Sequence, residues 1–247
     1  MKNFFSALLI IIISVSANAQ VKFVEVGKIE FERKINVHRQ YDISEDDSWF
    51  KEYVSKLPRF HTSYFDLVFS RNRTIYKPGR ETEDSKKQNW GIGPSKDNIV
   101  LTDLENKTVQ SIKSVFEQTF VVQDSGKGLE WKMNDEIRTI AGFECRKAVA
   151  RICDSVYIVA FYTDEITVSG GPESFHGLPG MILGLAIPRL YTTWFATKVE
   201  LIPPVEKDFA FSSRGKKVTE ESLLKTLQGS LKDWGKQGQR NIWWVLL

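Results

Sequence analysis

The chain has 247 residues, of which 34 are Lys or Arg and 31 are Asp or Glu, and its formal net charge is +3. Hydrophobic residues make up 42% and charged residues 26%, which is typical of a globular domain with a sizeable core. The near-balanced charge argues against a nucleic-acid partner, because a dedicated nucleic-acid binder carries a broad basic surface. Two cysteines and three histidines exclude a disulfide-rich scaffold and a cysteine-rich zinc module. We therefore expect no metal and no other cofactor.

The N-terminal segment has the features of a secretory signal peptide. Lys2 precedes an apolar run from Phe4 to Val15, and Ala17-Asn18-Ala19 has the small-x-small pattern that signal peptidase recognises. The apolar run is shorter than the roughly 20 residues that cross a bilayer. We expect residues 1–19 to be removed, which leaves residues 20–247 as one exported domain without a transmembrane span, periplasmic or elsewhere in the cell envelope.

Hydrophobic alternation predicts many short strands after this segment. The predicted strands are Lys28–Val37, Thr62–Ser70, Ile99–Leu104, Thr108–Ile112, Phe116–Gln123, Leu129–Met133, Phe143–Ile152, Tyr157–Tyr162, Met181–Ile187 and Tyr191–Leu201. Turns are predicted at Asp124–Gly126, Cys153–Ser155 and Pro188-Arg189, and the polar stretch Pro78–Asn98 is predicted to be a long exposed loop. No βαβ rhythm is present, so we expect a mostly β (α+β) fold with a single curved antiparallel meander sheet.

Two segments have helical spacing. Ser44–Leu57 places apolar residues on one face and is followed by Pro58, and a second helix contains Leu223, Leu227 and Leu231 and ends at Gly235. We expect both helices to pack on the sheet. The apolar end, Ile242–Leu247, is either a terminal strand docked on the sheet or a partner-binding tail.

A glycine- and proline-rich loop precedes a strand that is apolar on both faces, and it is the candidate rim of a ligand site. The candidate ligand-binding residues are Gly171, Pro172, His176, Gly177, Leu178, Pro179, Gly180 and Met181, within the segment Gly170–Leu183. Leu178-Pro179-Gly180-Met181 suits a type II turn. The same residues are equally suited to a tight structural corner, and the spacing leaves both interpretations open.

Catalytic and metal signatures are weak. Ser174 and His176 lie near the acids Asp164 and Glu173, but the glycines around Ser174 do not have the spacing of a nucleophile elbow. We therefore predict no catalytic residues and no enzymatic activity. The acids that follow His38, at Asp42, Glu45, Asp46 and Asp47, lack the spacing of an EF-hand loop and are typical of a solvated helix start.

Cys145 and Cys153 are the candidate disulfide. An oxidising compartment favours their pairing. An extended strand through Phe143–Ile152 would keep them about 26 Å apart at ~3.3 Å per residue, too far for a disulfide. The alternative is two unpaired thiols that behave as small hydrophobic residues.

The segment Gly177-Leu178-Pro179-Gly180-Met181-Ile182-Leu183 resembles the signature of the GLPGLI family of secreted Bacteroidetes-type proteins. Similar context lies at Gly27–Arg33, Trp131–Met133, Thr139–Ala148, Phe161–Ile166 and Gly171-Pro172. Met181 stands where the family motif has Leu, and Phe161 stands where it has Trp. The resemblance implies an envelope role, because members tend to be encoded near outer-membrane transport components, but it implies no defined activity.

Two functions follow as expectations. The first is a non-enzymatic binding protein that holds an apolar ligand, such as a lipid or acyl chain, in a curved sheet; it is motivated by 16 Phe, 7 Trp and 7 Tyr. Its strand rhythm is similar to the half barrels of LolA- and LolB-type lipoprotein carriers, a comparison at the level of fold only. The second is an accessory module of an outer-membrane transport or secretion complex, which contacts an outer-membrane protein through Ile242–Leu247 or Pro78–Asn98.

Overall fold

The computed structural model describes residues 23–41, 48–86, 93–126, 128–153, 155–212 and 214–247. The predicted signal peptide and the acids from Asp42 to Asp47 lie outside the described residues. In the described part of the chain, no helix has the length and apolar character needed to cross a membrane.

One mixed sheet of twelve strands dominates the described residues. The strands are β1 (Gly27–Asn36), β2 (Phe60–Ser70), β3 (Arg73–Pro78), β4 (Ile99–Asp103), β5 (Thr108–Val115), β6 (Gln118–Ser125), β7 (Lys132–Ile140), β8 (Phe143–Ile152), β9 (Val156–Thr163), β10 (Met181–Ile187), β11 (Thr192–Glu200) and β12 (Lys216–Val218). Their order is β12-β6-β5-β4-β3-β2-β1-β11-β10-β9-β8-β7. All neighbours are antiparallel except β12, which runs parallel to β6.

The sheet consists of two meanders joined by the pairing of β1 with β11, so it is wider than the predicted single meander. The predicted hairpin at Asp124–Gly126 is wrong. Asp124 and Ser125 still pair with β5, and the chain then passes to the opposite edge of the sheet, where β7 begins. The sheet is strongly curved at that edge, which brings β10 close to β7 although β9 and β8 lie between them in the strand order. A Cβ atom on Gly184 of β10 would lie 2.8 Å from Ile140 Cδ1 of β7.

The predicted hairpins β8–β9 and β10–β11 are confirmed, whereas β3 is not among the predicted strands and β7 lies later than predicted. Most residues of β7 are exposed, so this edge strand carries little apolar alternation.

Helices cover part of this framework. They are α1 (Ser48–Lys56), the single turn α2 (Glu83–Lys86), α3 (Glu220–Ser230) and α4 (Gly235–Val245), with 3-10 turns at Val37–Gln40, Pro188–Leu190, Glu206–Phe209 and Lys232–Trp234. The Thr219 side chain accepts a hydrogen bond from Ser222 N and so caps the N-terminus of α3. The prediction of a terminal strand is wrong: most of Ile242–Leu247 belongs to α4, whose buried positions Gly238, Ile242 and Val245 have helical spacing.

The main hydrophobic core lies on one face of the sheet, which we call the covered face. Inward residues of the central strands, such as Phe31, Phe65 and Trp194, meet Trp244 and Leu247 from the C-terminal segment. A second cluster joins α3 and α4 to β5 and β6. The covered face is therefore filled by the protein's own side chains.

The stretch Pro78–Asn98 is not simply an exposed loop. It contains α2, and Ser95 and Asn98 are buried. Both side chains hydrogen-bond to buried ionisable groups, Arg33 and Glu173, which explains why these polar residues lie in the interior.

The two cysteines do not form a disulfide, because the extended strand β8 separates Cys145 from Cys153. Cys145 is a buried thiol, and burial raises its pKa to about 12, whereas Cys153 is exposed. We expect a thiol reagent to label Cys153 rapidly in the native protein and Cys145 only after unfolding, because the thiolate is the reactive form. Counting thiols with Ellman's reagent tests this; no rapid reaction, or two rapid equivalents, would contradict it.

Candidate functional site

A fully buried arginine lies at the centre of the covered face. Arg33 shares the inward parity of Ile29, Phe31 and Ile35 on β1, and its side chain has no exposure to solvent. Its guanidinium carbon lies 4.6 Å from the centroid of the Phe65 ring and 5.9 Å from that of Trp244. These aromatic faces hold the guanidinium in place and interact favourably with its charge.

Hydrogen bonds fix two of the three guanidinium nitrogens of Arg33. Nε donates to Ser63 Oγ at 3.1 Å, and Nη1 donates to the carbonyl and hydroxyl oxygens of Ser95, both at 3.0 Å. Nη2 is buried and has no hydrogen-bond partner in the part of the chain that the structure describes. A buried donor without an acceptor costs about 1–3 kcal/mol, and more when it belongs to a charged group. The site therefore has one unused, charged donor in a fixed position.

Two further ionisable groups are buried nearby. Glu173 accepts a hydrogen bond from Asn98 at 2.9 Å and a long one from Tyr76 at 3.5 Å, and Lys113 donates to Val245 O at 2.6 Å. Burial raises the pKa of Glu173, while the charge of Arg33 acts in the opposite direction; burial lowers the pKa of Arg33 and of Lys113.

Positive charge is in excess in this interior. Arg33 and Lys113 oppose the single carboxylate of Glu173 among these three groups. In the described part of the chain, no carboxylate lies within ion-pair distance of the Arg33 guanidinium. The described residues therefore compensate the charge of Arg33 only in part.

A polar cavity of about 260 Å³, which we call the Arg33 cavity, borders this group. It lies where β3 ends at Pro78 and the first half of β2 loses its neighbour on that side. The lining residues are Arg33, His61, Ser63, Tyr64, Phe65, Pro78, Gly79, Arg80, Glu81, Ser85, Lys86, Lys96 and Asp97. This lining contains four Arg or Lys side chains and two carboxylates, so it is net basic.

The glycine-rich loop lies elsewhere. Of the eight predicted rim residues, Gly177 and Pro179 are exposed and His176 is half-buried, whereas Gly171, Pro172, Leu178, Gly180 and Met181 are buried. None of them lines the Arg33 cavity. Ser174 and His176 line a separate cavity of about 90 Å³. Ligand binding by this rim stays a prediction.

The loop does not bring Ser174 and His176 together as a catalytic pair. The Ser174 hydroxyl donates to Leu247 O at 2.6 Å, and His176 Nδ1 lies 2.8 Å from Ser174 O. Glu173 faces Asn98 in the interior, and Asp164 lies at the surface 3.6 Å from Arg146. The geometry gives no support to a hydrolytic triad built from these residues.

No cluster of three His, Cys, Asp or Glu side chains suited to a metal ion occurs within the described ranges. His38 Nε2 lies 2.8 Å from Leu57 O, so this imidazole has a main-chain partner.

Comparison with known families gives one match, over residues 150–184, to a model described as "Protein of unknown function (Porph_ging)". The matched segment includes the whole GLPGLI-like signature, Gly177–Leu183, but the match does not confirm that family name. The search of curated proteins gives no match.

Comparison with solved structures supports the fold alone. Two crystal forms of PNGF-II are similar to this chain, each with 16% identity and a TM-score of 0.52, over 82% and 86% of this chain. The match spans only 33% of PNGF-II. An uncharacterized conserved protein from Thermus thermophilus has 5% identity and a TM-score of 0.36, over 77% of this chain and 90% of its own.

A chain of the Pseudomonas aeruginosa MucA/MucB complex has 10% identity and a TM-score of 0.31, over 81% of this chain and 60% of its own. The TM-scores of the Thermus and MucA/MucB matches are too low to support any conclusion about this chain. None of these comparisons confirms the likeness to LolA or LolB carriers.

Proposed function

We propose that this chain is an exported, non-enzymatic binding protein whose ligand occupies the Arg33 cavity. The observation that carries the proposal is a completely buried arginine that lines a 260 Å³ cavity and whose Nη2 donor has no hydrogen-bond partner among the described residues. Proteins rarely leave a buried charged donor unsatisfied, and those that occur call for a specific explanation. A ligand that completes the hydrogen bonding of Arg33 is such an explanation.

Export is part of the proposal and rests on the signal-like N terminus and on the match to a family of unknown function. The absence of catalysis is also a proposal. It is supported by the main-chain hydrogen bonds that engage Ser174 and His176.

The apolar-ligand hypothesis requires more change in the structure. A lipid or acyl chain on the covered face would have to displace Trp244, Leu247 and Leu178, which are almost completely buried there. Polar contacts would break as well, including that between Ser174 and Leu247. A polar ligand in the Arg33 cavity requires no such displacement, so we favour it.

An accessory role in an outer-membrane complex is the second candidate. Three apolar residues that follow β11 are exposed, Leu201, Ile202 and Val205, and they offer an interaction surface. The segments that the sequence suggested for this contact, Ile242–Leu247 and Pro78–Asn98, are less accessible to a partner. Most of the C-terminal residues are packed in the core, and Ser95 and Asn98 of the other segment are buried.

Native mass spectrometry of the protein purified from its own cells tests the proposed function. We expect a non-covalent small-molecule adduct that is released on denaturation and is absent from the Arg33→Met variant. A lipid adduct that Arg33→Met retains would favour the apolar-ligand hypothesis. An unliganded mass that co-purifies with a membrane protein would favour the accessory role.

A further inference from the structure

The hydrogen-bonding pattern of Arg33 restricts what the cavity can accept. An arginine side chain stays protonated in proteins and offers only donors, so the group that satisfies Nη2 has to be an acceptor. Because Nε and Nη1 are already bonded to Ser63 and Ser95, the fork-like two-nitrogen contact with a ligand is blocked. One guanidinium nitrogen, with two N–H groups, remains available.

The electrostatic surroundings favour an acceptor that carries negative charge. The Arg33 guanidinium has no ion-pair partner among the described residues, and Glu173 is engaged by Asn98. The exposed side chains of Arg80, Lys86 and Lys96 also line the cavity, and they place its mouth at the surface. Arg80 and Lys86 pair with Glu30 and Glu83, which do not line the cavity, whereas Lys96 pairs with Asp97, which does.

The cavity is large enough for an organic anion. A cavity of about 150 Å³ accommodates a benzene molecule, and the Arg33 cavity measures about 260 Å³. Ser63 supplies a hydroxyl group, and Phe65 and Pro78 supply apolar surface for the uncharged part of such a ligand.

We propose that the Arg33 cavity binds the oxyanion group of a small ligand (a carboxylate, sulfate or phosphate) through the Nη2 donor of Arg33. This inference rests on the proposed function and specifies the chemistry of the ligand. One anionic oxygen accepts from Nη2, while the charge of Arg33, which has no ion-pair partner among the described residues, attracts the anion and the ring of Phe65 keeps the guanidinium in position. A charged hydrogen bond in a buried site is stronger than a neutral one, so the anion is preferred over an uncharged analogue.

Titration of the ligand-free protein with sodium acetate, sulfate or phosphate tests this assignment, with sodium chloride at equal ionic strength and uncharged glucose as reference probes. We expect at least one oxyanion to raise the melting temperature above the chloride reference and to shift the side-chain Nε–H resonance of Arg33. Acetate as the best probe would indicate a carboxylate ligand, and sulfate or phosphate a tetrahedral one.

Variants separate specific binding from general charge effects. In Arg33→Met we expect the affinity for the best oxyanion to fall about tenfold or more, as expected for loss of a charged hydrogen bond. Arg33→Lys keeps the buried charge and serves if the Met variant does not fold; its single ammonium group cannot bond Ser63 and Ser95 and also replace the Nη2 donor, so we expect weakened binding there as well. The exposed Arg151→Met on β8 is the matched control and should bind as the wild type does.

An oxyanion response that is no larger than the chloride response, or one that persists unchanged in both Arg33 variants, would overturn the assignment. If the protein carries an uncharged adduct in native mass spectrometry and ignores all three anions, the ligand chemistry is wrong while the proposed binding function stands. If both the adduct and the anion response are missing, the oxyanion assignment and the proposed binding function are both wrong.

Discussion

Substitution of Gly180 by alanine is expected to prevent stable folding. Gly180 has a φ of +142°, which side chains rarely tolerate, and an added Cβ would lie 2.0 Å from Thr163 O. That oxygen belongs to the end of β9, where Thr163 pairs with Met181 of β10, so it cannot move without opening the sheet. We expect a loss of more than about 4 kcal/mol in the free energy of unfolding.

Urea denaturation measures this loss. If the loss exceeds the total stability of the protein, we expect no folded Gly180→Ala protein at all. Gly229→Ala is the matched control, because a Cβ there meets nothing within 4 Å and Gly229 lies in α3. Alanine is the better helix former, so the control should be unchanged or more stable by up to about 1 kcal/mol. A Gly180→Ala protein as stable as the control would show that the loop is not a structural corner.

Truncation of Trp244 to alanine should cost about 3–5 kcal/mol, the usual range for a large buried aromatic side chain. Trp244 is 1% exposed, and its ring centroid lies 6.4 Å from that of Trp194 on the covered face. Removing the ring leaves a large void above the central strands and takes away one of the two aromatic faces beside Arg33. The midpoint of urea unfolding, compared at equal slope, measures the loss.

The matched control is Trp234→Ala. Trp234 is 51% exposed and contacts the exposed Phe116 ring edge-on, so its removal should change the stability by less than about 1 kcal/mol. Equal losses for the two variants would mean that the C-terminal segment is not docked in solution. The hypothesis of a tail that is free to bind a partner would then gain support.

The sequence predicted much of the fold where local pattern decides it. Strict alternation identified β1 and β2 to within two residues, and the spacing of Leu223 and Leu227 identified α3. The predicted end of that helix at Gly235 is wrong, because α3 ends at Ser230 and Gly235 begins α4. For the apolar segment from Ile242 the sequence predicts a docked strand or a partner-binding tail and misses the helix, because a short apolar run does not distinguish a buried helix from a strand. The pairing of β1 with β11 joins residues far apart in the sequence, and no local pattern reports such a pairing.

Sequence patterns did not predict most of the candidate site. Ser63, Ser95 and Glu173 lie on separate parts of the chain and come together only in the folded sheet. One signal was present: Arg33 occupies an inward position between Phe31 and Ile35 on an alternating strand, where a charged side chain is unusual. Glu173 belongs to the glycine-rich loop that the sequence singled out, although its carboxylate faces the interior.

The most direct measurement of the central claim is a crystal structure of the protein purified from its own cells without added anions. The proposed function predicts non-protein density in the Arg33 cavity, with an acceptor atom about 2.7–3.2 Å from Nη2 of Arg33. A carboxylate of the protein, such as that of Asp97 or Glu173, bonded to Nη2 over a closed cavity would contradict it. A cavity that holds only water would contradict it as well.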